Sequence, residues 1–375
     1  MTDAENTLPV YSRDLAGIEV GETQISDVRG DEGSLSYRGH SIDALVDKPF
    51  WQVVWLVVTG AWPDPAQEAA LRDFMASHSM LTPPELALLR ALPRGLHPML
   101  VLQGLVPVLP PGEAGPELAG ADATTTTGLR IAAKLPSLVA AWYRLEQGLD
   151  PVPADPALAF HENFLQMFTG HAPDAEQVKV LDVAQVLQME HSYNAGTFAG
   201  RVCASTLAPI QSSISASIGT LFGVLHGGAD EAALEMARTI GGPERAAAFV
   251  ADALRQKQKI MGMGHREYKV VDPRARILKP LAKRLCSSGD ARQLYETLEA
   301  VEAACQTEFA QRGKQIRANV EFYKGAVFNQ LGIPSRYFTA VFAMARVYGY
   351  IAHFVEFRQD SCLIRPRARY VGTAK

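Results

Sequence analysis

Cysteine is scarce: four residues in 375, Cys203, Cys286, Cys305 and Cys362, with no CxxC spacing among them. That excludes a disulfide-stapled fold and a thiolate zinc centre, and it fits free thiols in a reducing compartment. Positive charge is not in excess either. The net charge of -4 argues against nucleic acid or an anionic membrane surface as the main partner, since each needs a basic field. Long hydrophobic runs are missing. The most apolar one, Val53 to Val58, is too short to span a bilayer. The N-terminus, MTDAENTLPVYSRD, is polar and acidic and lacks the basic-then-apolar order of a signal peptide. A cytoplasmic protein is therefore expected. No internal repeat stands out. What remains is ordinary globular composition, 47% hydrophobic and 20% charged, on a chain long enough for two domains and a sizeable core.

Strand signals are confined to the first forty residues, where Arg29-Gly30-Asp31-Glu32-Gly33 separates GETQISDV from SLSYRG. A small hairpin is expected there. From Ile42 onward the apolar period is helical, as in Leu71, Phe74, Met75 and His78, or Leu135, Leu138, Val139 and Trp142. The reading is an all-α fold with a small N-terminal β-hairpin. Pro107 to Thr127 is rich in Pro, Gly and Thr without apolar period, and reads as a mobile surface connection, with helix resuming at Gly128. Pro243 opens a helix that is expected to run into Met261-Gly262, where glycines break it and expose His265. Pro273 starts another, and a last long helix covers roughly Arg336 to Phe357.

Three histidines sit beside glycine, asparagine or charge: His191 in EHSYNAGTF, His226 in GVLHGGADE and His265 in GMGHREYK. The ordinary reading of any one histidine is a hydrogen-bonded or surface side chain. His226, however, precedes Gly227-Gly228 and a helix opening with Asp230 and Glu231. The positive end of that helix disfavours imidazolium, which suits a neutral donor to a carbonyl. A metal is not expected, since no pair shows ligand spacing. Gly262-Met263-Gly264 follows a helix rather than a strand, which argues against a nicotinamide site; glycines there let a ligand approach the backbone. Arg274, Arg346 and Arg365 each stand next to proline or in apolar helix, where a guanidinium needs a partner. Arg346, inside the apolar run Tyr337 to Tyr350, should meet a protein carboxylate or a dicarboxylate ligand. Glu321, in ANVEFYKG, reads plainly as a solvated first-turn acid.

Taken together and in order, EHSYNAGTF, GVLHGGADE, GMGHREYKVVDPRA, NVEFYKG and LIRPRARYVG resemble the signature segments of the citrate synthase family. The resemblance extends to SYRGHSIDAL, His97 to Met99 and ADPALAFHENFLQMFTG, nearly the whole chain outside the Pro/Thr-rich connection. It implies an all-helical homodimer: a large domain from residues 1–227 plus 333–375, and a small domain, 228–332, that closes over the cleft. It implies Claisen-type condensation of acetyl-CoA with oxaloacetate followed by thioester hydrolysis, with no tightly bound cofactor and acyl-CoA as co-substrate.

In that frame Glu321 is the base and His226 the neutral donor to the thioester oxygen, while His265 serves the oxaloacetate carbonyl. His191, Arg274, Arg346 and the partner subunit's Arg365 bind oxaloacetate. Met261, Gly262, Met263 and Gly264 contact CoA, with Lys269, Lys314, Arg317 and Asn319 as further CoA contacts. The chain departs from the family pattern at Glu321, where aspartate is usual, and at Gly196, Gly200, Val224, Asp230 and Glu267. The family also includes 2-methylcitrate synthase, which uses propionyl-CoA, and Glu321 raises the reading of a catalytically weak paralogue that binds CoA or oxaloacetate.

Overall fold

The computed structural model describes residues 12–109, 118–265 and 267–373. Its strands are β1 (Ser26–Arg29), β2 (Ser34–Tyr37) and β3 (His40–Ser41). The helices that follow are α1 (Ile42–Leu45), α2 (Phe50–Thr59), α3 (Pro65–Ser79), α4 (Pro83–Ala91), α5 (Pro98–Leu105), α6 (Ala123–Glu146), α7 (Phe160–Thr169) and α8 (Ala175–Gln188). Next come α9 (Ala195–Ala204), α10 (Ile210–Leu221), α11 (Ala229–Ile240), α12 (Ala246–Arg255), α13 (Pro273–Leu285), α14 (Gly289–Gln311), α15 (Val320–Gln330) and α16 (Phe338–Gln359). The expected all-α fold with an N-terminal hairpin is what the chain forms, with β3 as an added third strand in the order β1-β2-β3.

α16 is the axis of the core. Its buried residues run on every side from Phe338 to Phe357, and it packs against α2, α6, α8, α9 and α10. A helix apolar all round must be enclosed. By length and composition Ser335–Gln359 is apolar enough to cross a membrane, yet 94% of its most apolar window is buried inside the fold. α11 to α15 pack largely on one another, through α11 with α15, α12 with α14, and α13 with α15, while α13 also meets α8.

Two sequence expectations need correction. Helix resumes at Ala123, not Gly128, because the Asp122 side chain accepts the N–H of Thr125 at 2.7 Å and caps α6 there. Thr125 and Thr126 are buried and Leu118 packs into the core, so the ends of the Pro/Thr-rich stretch are built in; residues 110–117 lie outside the described ones. α12 stops at Arg255, short of Met261. Lys257 takes a left-handed conformation (φ 57°), and the N–H of Gln258 returns to the Ala253 carbonyl at 2.8 Å, closing the helix end as a glycine ordinarily does.

The hairpin does more than decorate the N-terminus. Tyr37 Oη donates to the Val186 carbonyl (3.0 Å), Ser26 Oγ donates to Glu190 Oε1 (3.0 Å), and Ser192 N donates to Ser26 Oγ (2.9 Å). At its tip, Lys269 N donates to the Gly30 carbonyl at 2.9 Å. A Cβ on Gly30 would lie 2.1 Å from the Glu267 carbonyl oxygen. Glycine is required by that approach.

Candidate active site

Four loop-to-helix junctions converge. The first, from Glu190 to Ala195, carries His191, which is buried and bonds Tyr268 Oη through Nε2 at 3.2 Å. Its ring lies 5.4 Å from that of His265. Burial first, then the charges of Arg274 and Arg346, hold its pKa well below the usual histidine range. Beneath it Glu190 is completely buried on His353 Nε2 (2.9 Å) and Ser26. Burial would raise that carboxyl, but His353 and Arg346 override it and keep it low.

The second junction holds His226. Its Nε2 lies 3.2 Å from the N–H of Gly196, in the first turn of α9, and 3.1 Å from Asn194 Oδ1, the α9 cap. The Gly196 N–H donates to Nε2, which makes Nε2 the acceptor and places the proton of the neutral ring on Nδ1. Burial, then Arg346, lowers this histidine to about 4. The ring is therefore neutral, as expected, but for a different reason: it sits on the N-terminus of α9 rather than on that of α11, and desolvation dominates. Gly196 and Gly200 become intelligible here. A Cβ on Gly196 would meet Tyr350 Oη at 2.5 Å, and one on Gly200 would meet Ser217 Oγ at 2.3 Å, so both let α9 press against α10 and α16.

The third junction, Met261 to Arg274, carries His265. Its Nδ1 accepts from the N–H groups of Glu267 (3.0 Å) and Tyr268 (3.3 Å), which leaves the proton on Nε2. Burial, then Arg274, lowers it to about 4. Arg274 is buried and forked onto Asp272, Nε to Oδ1 at 3.0 Å and Nη2 to Oδ2 at 2.8 Å. Arg274 Nη2 also lies 3.2 Å from His265 Nε2. Two donors thus face one point, where an oxygen would satisfy both. Asp272 and Tyr268 escaped the sequence reading; the signal was an Asp-Pro helix cap and a lone aromatic among charges. Asp272 also caps α13 and accepts the N–H of Val320 at 3.2 Å, joining the starts of α13 and α15. Glu267 contributes through its backbone, while its side chain is exposed.

The fourth junction starts α15. Asn319 caps it by accepting Glu321 N at 3.0 Å. Glu321 is largely buried rather than solvated, because its carboxylate pairs with Lys324 one turn on. Lys324 is fully buried between Asp230 (3.1 Å) and Gln188 Oε1 (3.2 Å). Burial pushes Asp230 up to about 6, against the pull of Lys324 and with a push from Glu321. Asn319 also ties this junction to the third: its N–H donates to the Gly262 carbonyl and its Nδ2 to the Gly264 carbonyl, both at 2.9 Å, and Gly264 N donates to Arg317 O at 2.8 Å. Met261, Gly262, Met263, Gly264, Arg317 and Asn319 thus form one ribbon, with Gly262 and Gly264 both at positive φ. Lys314 and Lys269 are exposed.

For Arg346 the first of the two expected partners, a protein carboxylate, is not found among the described residues, which leaves the dicarboxylate ligand. Arg346 is buried on α16 and its Nε donates to the Gln188 carbonyl at 2.6 Å, while its terminal nitrogens make no hydrogen bond among the described residues. Arg365 lies exposed in the extended segment after α16, donating to the Pro366 carbonyl, and makes no bond to another candidate among the described residues. Among the described residues no group of three His, Cys, Asp or Glu side chains is arranged for a metal. A cavity of 990 Å³ lined by Arg38, Thr59, Asp122 and Glu356 includes none of the candidates.

Residues 14–367 match the family model for the citrate synthase C-terminal domain. The chain is 36% identical to a citrate synthase of Synechocystis sp., covering 99% of this chain and 92% of that one. It is 34% identical to a 2-methylcitrate synthase of Shewanella oneidensis, covering 96% and 94%. The ternary complex of carboxymethyl coenzyme A and oxaloacetate with the citrate synthase of Thermoplasma acidophilum superposes with a TM-score of 0.88 at 28% identity, covering 96% of this chain and 95% of that one.

Proposed function

The chain belongs to the citrate synthase family, and from that premise we propose how its four junctions divide the work of a transferase that condenses acetyl-CoA with oxaloacetate. Glu321 takes a proton from the methyl carbon of the thioester. His226 donates from Nδ1 to the thioester oxygen as it becomes an enolate oxygen, and a neutral imidazole can do so without first losing a charge. The enolate carbon attacks the oxaloacetate ketone, whose oxygen receives the proton of His265 Nε2. Water then cleaves the thioester to release citrate and CoA. His191, Arg274 and Arg346 hold oxaloacetate, and the terminal nitrogens of Arg346, without a hydrogen bond among the described residues, suit a carboxylate. The ribbon of Met261 to Gly264 with Arg317 and Asn319 receives CoA, with Lys269 and Lys314 toward its phosphates.

One observation supports this division above the rest: His226 and His265 are both neutral, and each has one nitrogen occupied by backbone N–H groups so that the other is a donor. We further propose that residues 228–332 form a domain that closes over the site, and that the protein is a cytoplasmic homodimer with Arg365 completing the partner's site. Purified protein should release CoA thiol from acetyl-CoA only when oxaloacetate is present; no thiol release would end this reading. Propionyl-CoA is the second acyl donor to assay, because a 2-methylcitrate synthase stands close to the citrate synthases in identity. One methylene alters discrimination by only about 1–3 kcal/mol, so the ratio of kcat/KM for the two thioesters decides.

A further inference from the structure

Burying a lysine is costly unless the ammonium is matched by acceptors. Lys324 and Asp230 are both fully buried, and their 3.1 Å ion pair already neutralises the lysine. A second carboxylate nevertheless contacts it, that of Glu321. Gln188 adds a hydrogen bond at 3.2 Å, and the Phe342 ring covers another side with its centroid 4.3 Å from Nζ. Three acceptors from α8, α11 and α15 therefore fix one ammonium. We propose that Lys324 is a positioning residue for the carboxylate base, holding the Glu321 carboxylate through an ion pair that Asp230 and Gln188 anchor. The inference rests on the reading of Glu321 as the base.

Geometry and charge both favour it. Lys324 lies three residues after Glu321, on the same face of α15, where side chains of opposite charge meet. Two carboxylates and one ammonium carry a net charge of minus one. When Glu321 takes the substrate proton, a neutral Lys324–Asp230 pair is left in a dry site. Lys324 alone would weaken the base; Asp230 offsets that. Among the described residues, the other charged and titratable groups that interact with Glu321 are His226, His265 and Arg274, which the variants below leave in place.

The experiment measures kcat, KM and the pH profile of kcat with acetyl-CoA and oxaloacetate for Lys324→Met, Asp230→Asn, the double variant and Glu321→Gln. The double variant, which removes both fully buried charges together, should lose about tenfold to a hundredfold in kcat with KM for oxaloacetate within about twofold. The acid limb should move up by about one pH unit in Lys324→Met and down in Asp230→Asn, as opposite charges near a carboxylate dictate. A structural role alone would not move the limb in opposite directions. If the double variant keeps wild-type kcat, or Asp230→Asn leaves the limb unmoved, the positioning role is overturned. Should Lys324→Met fail to fold, Asp230→Asn alone carries the test. Turnover by Glu321→Gln would instead remove Glu321 as the base, a distinct failure.

Discussion

At the scale of single residues, neutrality is the property that matters. His226 and His265 have pKa values near 4 against an ordinary 6.5, and His191 is also lowered. The folded state therefore binds fewer protons than the unfolded chain below about pH 6.5, so their stabilising contribution is full above that pH and is lost as pH falls toward 4. Each shift of this size corresponds to roughly 3 kcal/mol. Asp230, raised to about 6, works in the opposite sense and offsets about one of them. Denaturant unfolding should show stability falling from pH 6.5 to 4.5; a flat curve would contradict the neutral histidines. Glu321→Asp withdraws the carboxylate from Lys324 by about 1 Å and should cost about a hundredfold in kcat. A gain in turnover would instead mark the glutamate as a lesion. Reading Glu321 as solvated failed for a physical reason: its exposure is decided by Lys324, and nothing in the sequence announces that a lysine one turn away is itself buried.

At the scale of elements, periodicity made the helices legible and local caps set their ends. The apolar period identified α3, α6 and α16, since burial on one side of a helix writes itself directly into sequence spacing. The ends of α6 and α12 were harder, because Asp122 capping and a left-handed Lys257 outvoted the usual glycine and proline signals. The three histidines, the arginines and the glycine ribbon were readable as residue types in unusual company. Their supports were not: Asp272, Tyr268, Gly196 and Lys324 act through contacts made by other elements. The clearest test lies at the hairpin tip. Gly30→Ala places a carbon against the Glu267 carbonyl, which must shift the backbone that orients His265. It should lower kcat by about tenfold or more, although residue 30 is assigned no contact with substrate, while Arg29→Ala should leave kcat unchanged. Equal kinetics for the two variants would separate the hairpin from the site.

On the whole-molecule scale, the proposed homodimer makes a claim that activity can settle. If Arg365 serves the partner's site, inactive Arg365→Ala and Glu321→Gln chains should restore each other when refolded together. Each mixed dimer then has one complete site, and random association gives about a quarter of wild-type activity. No recovery above the residual activity of Arg365→Ala would place that arginine in its own site or outside both.

The hairpin that grips both the His191 and the His265 segments has a consequence in time as well as in space. Residue 26 must find residue 190, and residue 30 must find residue 269, whereas most helices need only neighbours in sequence. Closing such long loops is slow. Helical signal should therefore return early on refolding from denaturant and catalysis late, with the delay belonging to the arrival of the N-terminal ribbon. During synthesis the same hairpin must wait for the segments it grips until more than half of the chain has emerged behind it.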